Sequence, residues 1–194
     1  MRMKTLRNSN RLAGTKPVPK SKRFKHVPHA PSDMMALVSN VEIYPEFINL
    51  LSAVRTSPKE TVRDGVKSYT AEATVNYKFI SERFKSLVTI NSHENHIAVT
   101  KADKSGAVKS LTNDWVFHEL SDGSTLVEFF VDVKLKAFPL EMLLRDKFDK
   151  AGAHIMNLFV VKASQMYEKV GDESLDLDVE MQRLSLNQKM ADLS

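Results

Sequence analysis

The chain has 194 residues and no cysteine. Disulfides and thiolate metal sites are therefore excluded, and the composition fits a reducing compartment. No apolar run approaches the ~20 residues that a membrane-spanning helix needs. Catalytic signatures are missing as well. The sequence contains no G-x-x-x-x-G-K, G-x-G-x-x-G, G-x-S-x-G or H-E-x-x-H, so the common nucleotide-binding, hydrolase and zinc-protease motifs do not apply. His93 and His96 are close in sequence but flank a turn and lack a third ligand nearby. His154 falls at the boundary of a helical apolar stripe.

Acidic residues are missing from residues 1–32, which carry nine Lys/Arg. Residues 33–170 hold 17 bases and 18 acids, and residues 171–194 hold two bases and six acids. The formal charge of +4 thus comes from the N-terminal arm, and the body is nearly neutral. A neutral body argues against a DNA-binding surface. The arm has two readings: a solvated, disordered tail, or a polybasic contact with anionic lipid or RNA. It lacks the apolar stretch of a secretory signal. It is acid-free and Arg-rich like a transit segment, but Pro17 and Pro19 interrupt a long amphipathic helix. The expected organisation is a disordered basic arm at 1–20, one domain at 21–170, and an acidic, disordered tail at 171–194.

The longest helical pattern runs over residues 139–170. Leu144, Phe148, Ala151, Ile155, Phe159, Ala163, Met166 and Val170 recur at spacings of three and four, which puts them on one face. Pro139 suits its first turn, and Gly171 sits where a stop is expected. The chain before it reads as a first strand over 21–30, short helices over 31–50 with Ser32 or Asp33 as a cap, and then strands. Phe24 and His26 share one face of the first strand, Lys25 and Val27 the other. A strand over 54–62 contains Pro58, which marks an edge or a bulge. Asp64-Gly65 and Asp122-Gly123 are hairpin turn signals. Alternation places Tyr69, Ala71, Ala73, Val75, Tyr77 and Phe79 on one face, then Phe84, Ser86, Val88 and Ile90, then Ile97 and Val99. Leu111, Asn113, Trp115 and Phe117 follow, then Thr125 to Leu135 at odd positions. Hairpin spacing without a late crossover helix predicts an α+β fold: one antiparallel sheet with its helices gathered on one face.

Two polar residues stand out on the apolar faces. Asn113 lies between Leu111 and Trp115, and Ser86 between Phe84 and Val88. Each needs a partner if buried: backbone, water, or the oxygen of a ligand in an apolar cavity. Ala71, Ala73 and Gly152 are small among large neighbours, which permits either close packing or an open space. Tyr44 and Phe47 flank Pro45. With the stretch up to Leu51 they form one lip of an expected gate, facing Ala137 to Leu144 with Phe138 and Leu140. The same groups equally suit the sealing of a core.

The turn Tyr44-Pro45-Glu46-Phe47 and the strand Leu111-x-Asn113-x-Trp115-x-Phe117 together resemble the coenzyme Q-binding START-domain family. The stretches LVEFFVDVKLK and LEMLLRDKFDKA agree with it. The resemblance covers about residues 21–168 and implies a helix-grip fold, a seven-stranded antiparallel sheet wrapped around a long C-terminal helix. It also implies a non-enzymatic protein that binds ubiquinone or a related polyisoprenoid lipid and supports respiration or quinone biosynthesis. No catalytic cofactor is implied, and the location is cytoplasmic, with transient contact at the inner membrane surface. Bacterial relatives include ribosome-association toxins that block subunit joining, and the wider superfamily includes polyketide cyclases and aromatases. These are the alternatives. On this basis the ligand site is expected at Tyr44, Phe47, Tyr69, Ala71, Ala73, Val75, Tyr77, Ser86, Val88, Asn113, Trp115, Phe148, Gly152, Ile155 and Phe159. Tyr69, Tyr77, Trp115 and Asn113 are the expected donors or stacking faces for a quinone head.

Overall fold

A computed structural model describes residues 20–77, 80–106, 108–136, 148–172 and 174–191. The element order is β1 (Lys20–Val27), α1 (Pro31–Ser39), a 3-10 helix (Val41–Glu46), β2 (Leu51–Thr56), β3 (Glu60–Arg63), β4 (Val66–Tyr77), β5 (Ile80–Asn91), β6 (His96–Lys101), β7 (Val108–Glu119), β8 (Thr125–Leu135), α2 (Phe148–Met166) and α3 (Leu177–Ala191). The strands form one antiparallel sheet in the order β1-β8-β7-β6-β5-β4-β2, with β3 also paired to β4. The expected α+β architecture is therefore observed, with eight strands among the described residues rather than seven. Pro58 explains the extra one. It lies between β2 and β3, where the stretch expected as one strand divides into two that pair with successive parts of β4.

Alternation sets which face is dry. Val27, Tyr69, Val88, Ile97, Trp115, Phe117, Val127, Phe129 and Val131 are buried on the concave side, as their parity requires. The other face carries the Lys22–Glu128 ion pair at 2.6 Å and a His96–Asp114 hydrogen bond at 3.1 Å. Phe24 lies on that outer face and is 46% exposed, whereas Val27 points into the core. At the β3–β4 turn Gly65 takes φ +68°, and the His93 ring lies where a side chain would stand. His93 thus covers a turn and is 3.4 Å from Asp64, rather than joining His96 in a metal pair.

Three helical expectations need correction. The N-cap of α1 is Ala30, without a side-chain hydrogen bond; Pro31 opens the helix, and Asp33 lies in its first turn. The buried stripe of α2 is Gly152, Met156, Phe159 and Ala163, so the buried face is rotated from the one that runs through Ala151. Ala151, Met166 and Val170 are exposed. The helix ends at Met166 because the chain beyond it is bound elsewhere. His29 Nδ1–H donates to the Glu168 carbonyl at 2.9 Å, and the Val170 amide donates to the Pro28 carbonyl at 3.0 Å. Gly171 follows this pinned segment, its φ of +96° keeping a side chain away from Asp122 and Ser124. Leu144 and the lip at residues 137–147 lie outside the described residues, as do Phe79 and the arm at 1–19.

The acidic tail, expected to lack order, carries α3. Apolar periodicity is weak there, and one buried carboxylate compensates. Glu180 accepts from the Ser121 amide at 3.1 Å and from the Ser121 hydroxyl at 2.7 Å, while Arg183 pairs with it at 2.6 Å. Arg183 also donates to the Glu119 carbonyl at 3.0 Å, so the helix is held on the β7–β8 turn. The Arg183 and Ser121 hydrogen bonds bring the Glu180 carboxyl down from 4.5 to about 2. Because the folded value is depressed, its stabilisation is present above 4.5 and lost as pH falls towards 2. Amide hydrogen exchange is expected to show α3 losing protection across that window. Glu180→Gln should lose it already at neutral pH, with the sheet unchanged. Protection in α3 that ignores both would remove Glu180 as the anchor.

Candidate functional site

The sheet and α2 do not fill the space between them. A cavity of about 320 Å3 lies beside the helix, at the low end of the ~300–1,000 Å3 typical of small-molecule sites. Ala71, Ala73 and Val75 of β4 form its floor with Phe84, Ser86 and Val88 of β5. Val99 of β6 and Leu111, Asn113 and Trp115 of β7 continue it, while Ile155 and Phe159 of α2 cover it. Val41, Tyr44, Ile48 and Leu50, from the 3-10 helix and the turn after it, close one side with Leu51 and Val54 of β2. Leu50 is 42% exposed, so the cavity reaches the surface at this turn. The space exists because methyl groups stand at Ala71 and Ala73 where the neighbouring positions hold rings.

Ten of the expected residues meet here: Tyr44, Ala71, Ala73, Val75, Ser86, Val88, Asn113, Trp115, Ile155 and Phe159. Five do not. Phe47 stands behind the wall, edge-on to Tyr44 at 5.7 Å and to Phe159 at 5.2 Å. Tyr69 is buried, and its hydroxyl donates to the Ser39 carbonyl at 2.7 Å, so it ties β4 to the end of α1 and offers no free donor. Gly152 is buried on the opposite side, where a side chain would meet Arg23 and Ser21 of β1. Its smallness serves helix–strand approach. The side chains of Tyr77 and Phe148 lie outside the described residues. Of the lining missed, Phe84, Val99 and Leu111 follow from the same strand parity, and Val54 was obscured by the Pro58 irregularity. Val41, Ile48 and Leu50 sit on the 3-10 helix and the turn after it, and Leu51 at the start of β2, with no period to read.

The lining is almost wholly apolar. Tyr44 is its one titratable residue. Its hydroxyl donates to the Val38 carbonyl at 2.6 Å, and burial, aided by nearby Tyr69, holds its pKa well above the ordinary phenol value. Burial first, then Glu42, pushes Tyr69 up to about 12. Both phenols are therefore neutral, committed donors at ordinary pH. Asn113 is different. Its Oδ1 is buried and has no hydrogen-bond partner among the described residues, so the cavity wall holds an amide acceptor that none of them satisfies.

Comparison with known proteins places this geometry. Residues 27–159 match the family described as polyketide cyclase / dehydrase and lipid transport. The chain is 25% identical over 150 residues to the ribosome association toxin RatA of Escherichia coli K12, covering 77% of this chain and 90% of RatA. It is 27% identical to an 18 kDa protein of Caulobacter crescentus of known solution structure, with a TM-score of 0.63 over 76% of this chain and 97% of that one. A START superfamily protein from Mycobacterium smegmatis shares the fold at 17% identity and a TM-score of 0.63, over 76% and 99% of the two chains.

An unsatisfied buried acceptor costs ~1–3 kcal/mol, and in a chain of this size each kcal/mol moves Tm by ~2–4 °C. Asn113→Leu is expected to raise the Tm of the ligand-free protein by about 2–12 °C. A lower Tm in a calorimetric scan would mean that the amide has a structural partner.

Proposed function

The chain belongs to the polyketide cyclase / dehydrase and lipid transport family, and from that premise we propose that it is a non-enzymatic carrier of a polyisoprenoid lipid such as ubiquinone. The observation that carries this reading is the cavity beside α2: apolar walls, an amide oxygen with no partner among the described residues and a side open at Leu50. A quinone offers a flat ring, two carbonyl oxygens and an apolar tail. The ring can stack on Trp115, the tail can lie against Val75, Val88 and Ile155, and the Asn113 amide, by turning its NH2 inward, can donate to a carbonyl. Apolar burial is worth ~25 cal/mol per Å2 before ordering costs, so a partly buried tail dominates the affinity. A carrier is favoured over a cyclase because the described lining offers no general base. Its one phenol is engaged and held above its ordinary pKa.

The wall at Tyr44–Leu51 is the proposed entrance. Among the described residues, no helix is long and apolar enough to cross a membrane, so the reading requires lipid uptake at a membrane surface.

Lipid extraction and native mass spectrometry of the purified protein are expected to find a bound isoprenoid quinone. Ala73→Phe should fill the cavity and abolish uptake without lowering Tm. A protein that retains no lipid and turns over a polyketide analogue would overturn the carrier reading in favour of a cyclase.

A second reading, ribosome association, is favoured by similarity along 90% of RatA. On the outer face Lys20 pairs with Asp132, Lys22 pairs with Glu128, and Arg83 and Lys85 share Glu72. Residues 1–19 carry five further bases and no acid. With those outer-face bases paired, cosedimentation with ribosomes is expected to be weak. Strong, salt-sensitive cosedimentation lost on deleting residues 1–19 would establish this second reading.

A further inference from the structure

Ile97, Val99 and Lys101 share one face of β6, since alternate residues point the same way. A lysine therefore stands on the concave side of the sheet, beside Val99 and Ser86 at the edge of the cavity that they line. Its side chain is only 3% exposed. The register puts Ser86 directly opposite it on β5, while Asn113 lies opposite Val99, one step away on β7. Three polar side chains thus occupy neighbouring positions on the concave face. Ser86 and Asn113 both open onto the cavity.

The charge of Lys101 is matched by Asp103, two residues on, through a direct ion pair. Asp103 is itself fixed by the Ser105 hydroxyl at 2.6 Å and the Lys85 amide at 3.3 Å. These contacts, that with Lys101 foremost, bring its carboxyl down to about 2. Filling the position would not require an ion pair, since apolar residues of similar volume often serve such places as well or better. The Lys101–Asp103 pair itself carries no net charge, and Glu82 of β5 adds a carboxylate to the same face. A ligand carboxylate entering this corner would bring a buried charge without a counter-charge. A neutral carbonyl would instead find an ammonium and an amide as donors, with the serine hydroxyl beside them.

We propose that Lys101, Ser86 and Asn113 form a head-group subsite for a neutral, carbonyl-bearing head such as a quinone or ketone, and that it discriminates against fatty acids. This rests on the reading of the cavity as a lipid site and adds to it the chemistry of the head.

The test is displacement of the neutral probe N-phenylnaphthylamine from the full chain by three competitors: decylubiquinone, palmitate and the headless hydrocarbon dodecane. Decylubiquinone should compete about tenfold or more better than palmitate, the weight of a hydrogen bond to a charged donor. Lys101→Met should weaken decylubiquinone by a similar factor and leave dodecane unchanged. The double variant K101M/D103N removes both charges, guards against misfolding from an orphaned aspartate, and should behave as Lys101→Met does. Lys101→Arg should retain most of the preference. Decylubiquinone affinity unchanged in the double variant, or palmitate competing as well as decylubiquinone in the wild type, would overturn the subsite while dodecane binding keeps the lipid cavity. A wild-type protein from which none of the three displaces the probe overturns both.

Discussion

Everything about the site depends on one aromatic junction. Phe159 of α2 is buried, and its ring meets Tyr44 at 5.1 Å, Phe47 at 5.2 Å and Trp115 at 5.0 Å. These partners come from the 3-10 helix, the turn after it and β7. Trp115 in turn packs on Phe129 of β8 at 4.4 Å. Edge-on aromatic pairs of this kind add ~0.5–1.5 kcal/mol each beyond their area. The junction thus fixes the helix to the sheet at one point and holds the 3-10 helix against both. Lys162 reinforces it, with its ammonium 2.8 Å from Glu46 and above the Phe47 ring.

With α2 fixed there, the two sides of the junction take different roles. Towards Ala163, His29, Ser164 and the Glu168 carbonyl make a part-buried polar tie. Towards Ile155 the floor carries Ala71 and Ala73, and the same helix cannot reach it. The cavity follows from small side chains opposite a helix whose distance is already set by Phe159. Its polar members, Asn113 and Ser86, share that floor, so a ligand seated against the apolar wall is also within reach of hydrogen-bonding groups.

Much of the fold was legible beforehand because a strand's period of two is a rigid constraint. Tyr69, Val88, Trp115 and Val131 could be assigned to the concave face from parity alone, and each is buried there. Asn113 was conspicuous for the same reason: an amide between Leu111 and Trp115 breaks an apolar alternation. Helical faces were less legible. The stripe through Ala151 and Met166 satisfies the same spacing as that through Gly152 and Met156, and only packing against β1 selects between them. Gly152 read as a sign of a cavity and instead admits Arg23.

What the sequence by itself determined was the antiparallel sheet, its dry face, the long helix and the neutral body, because these follow from local alternation and charge count. The tertiary structure decided the rest. It spent the Tyr69 hydroxyl on Ser39 and left the Asn113 oxygen without a partner among the described residues. It turned Lys101 inward onto Asp103 and fastened a weakly amphipathic tail by Glu180. Each of these depends on which distant groups meet, and hydrogen-bond partners, unlike side-chain parity, are set by the closure of the whole chain.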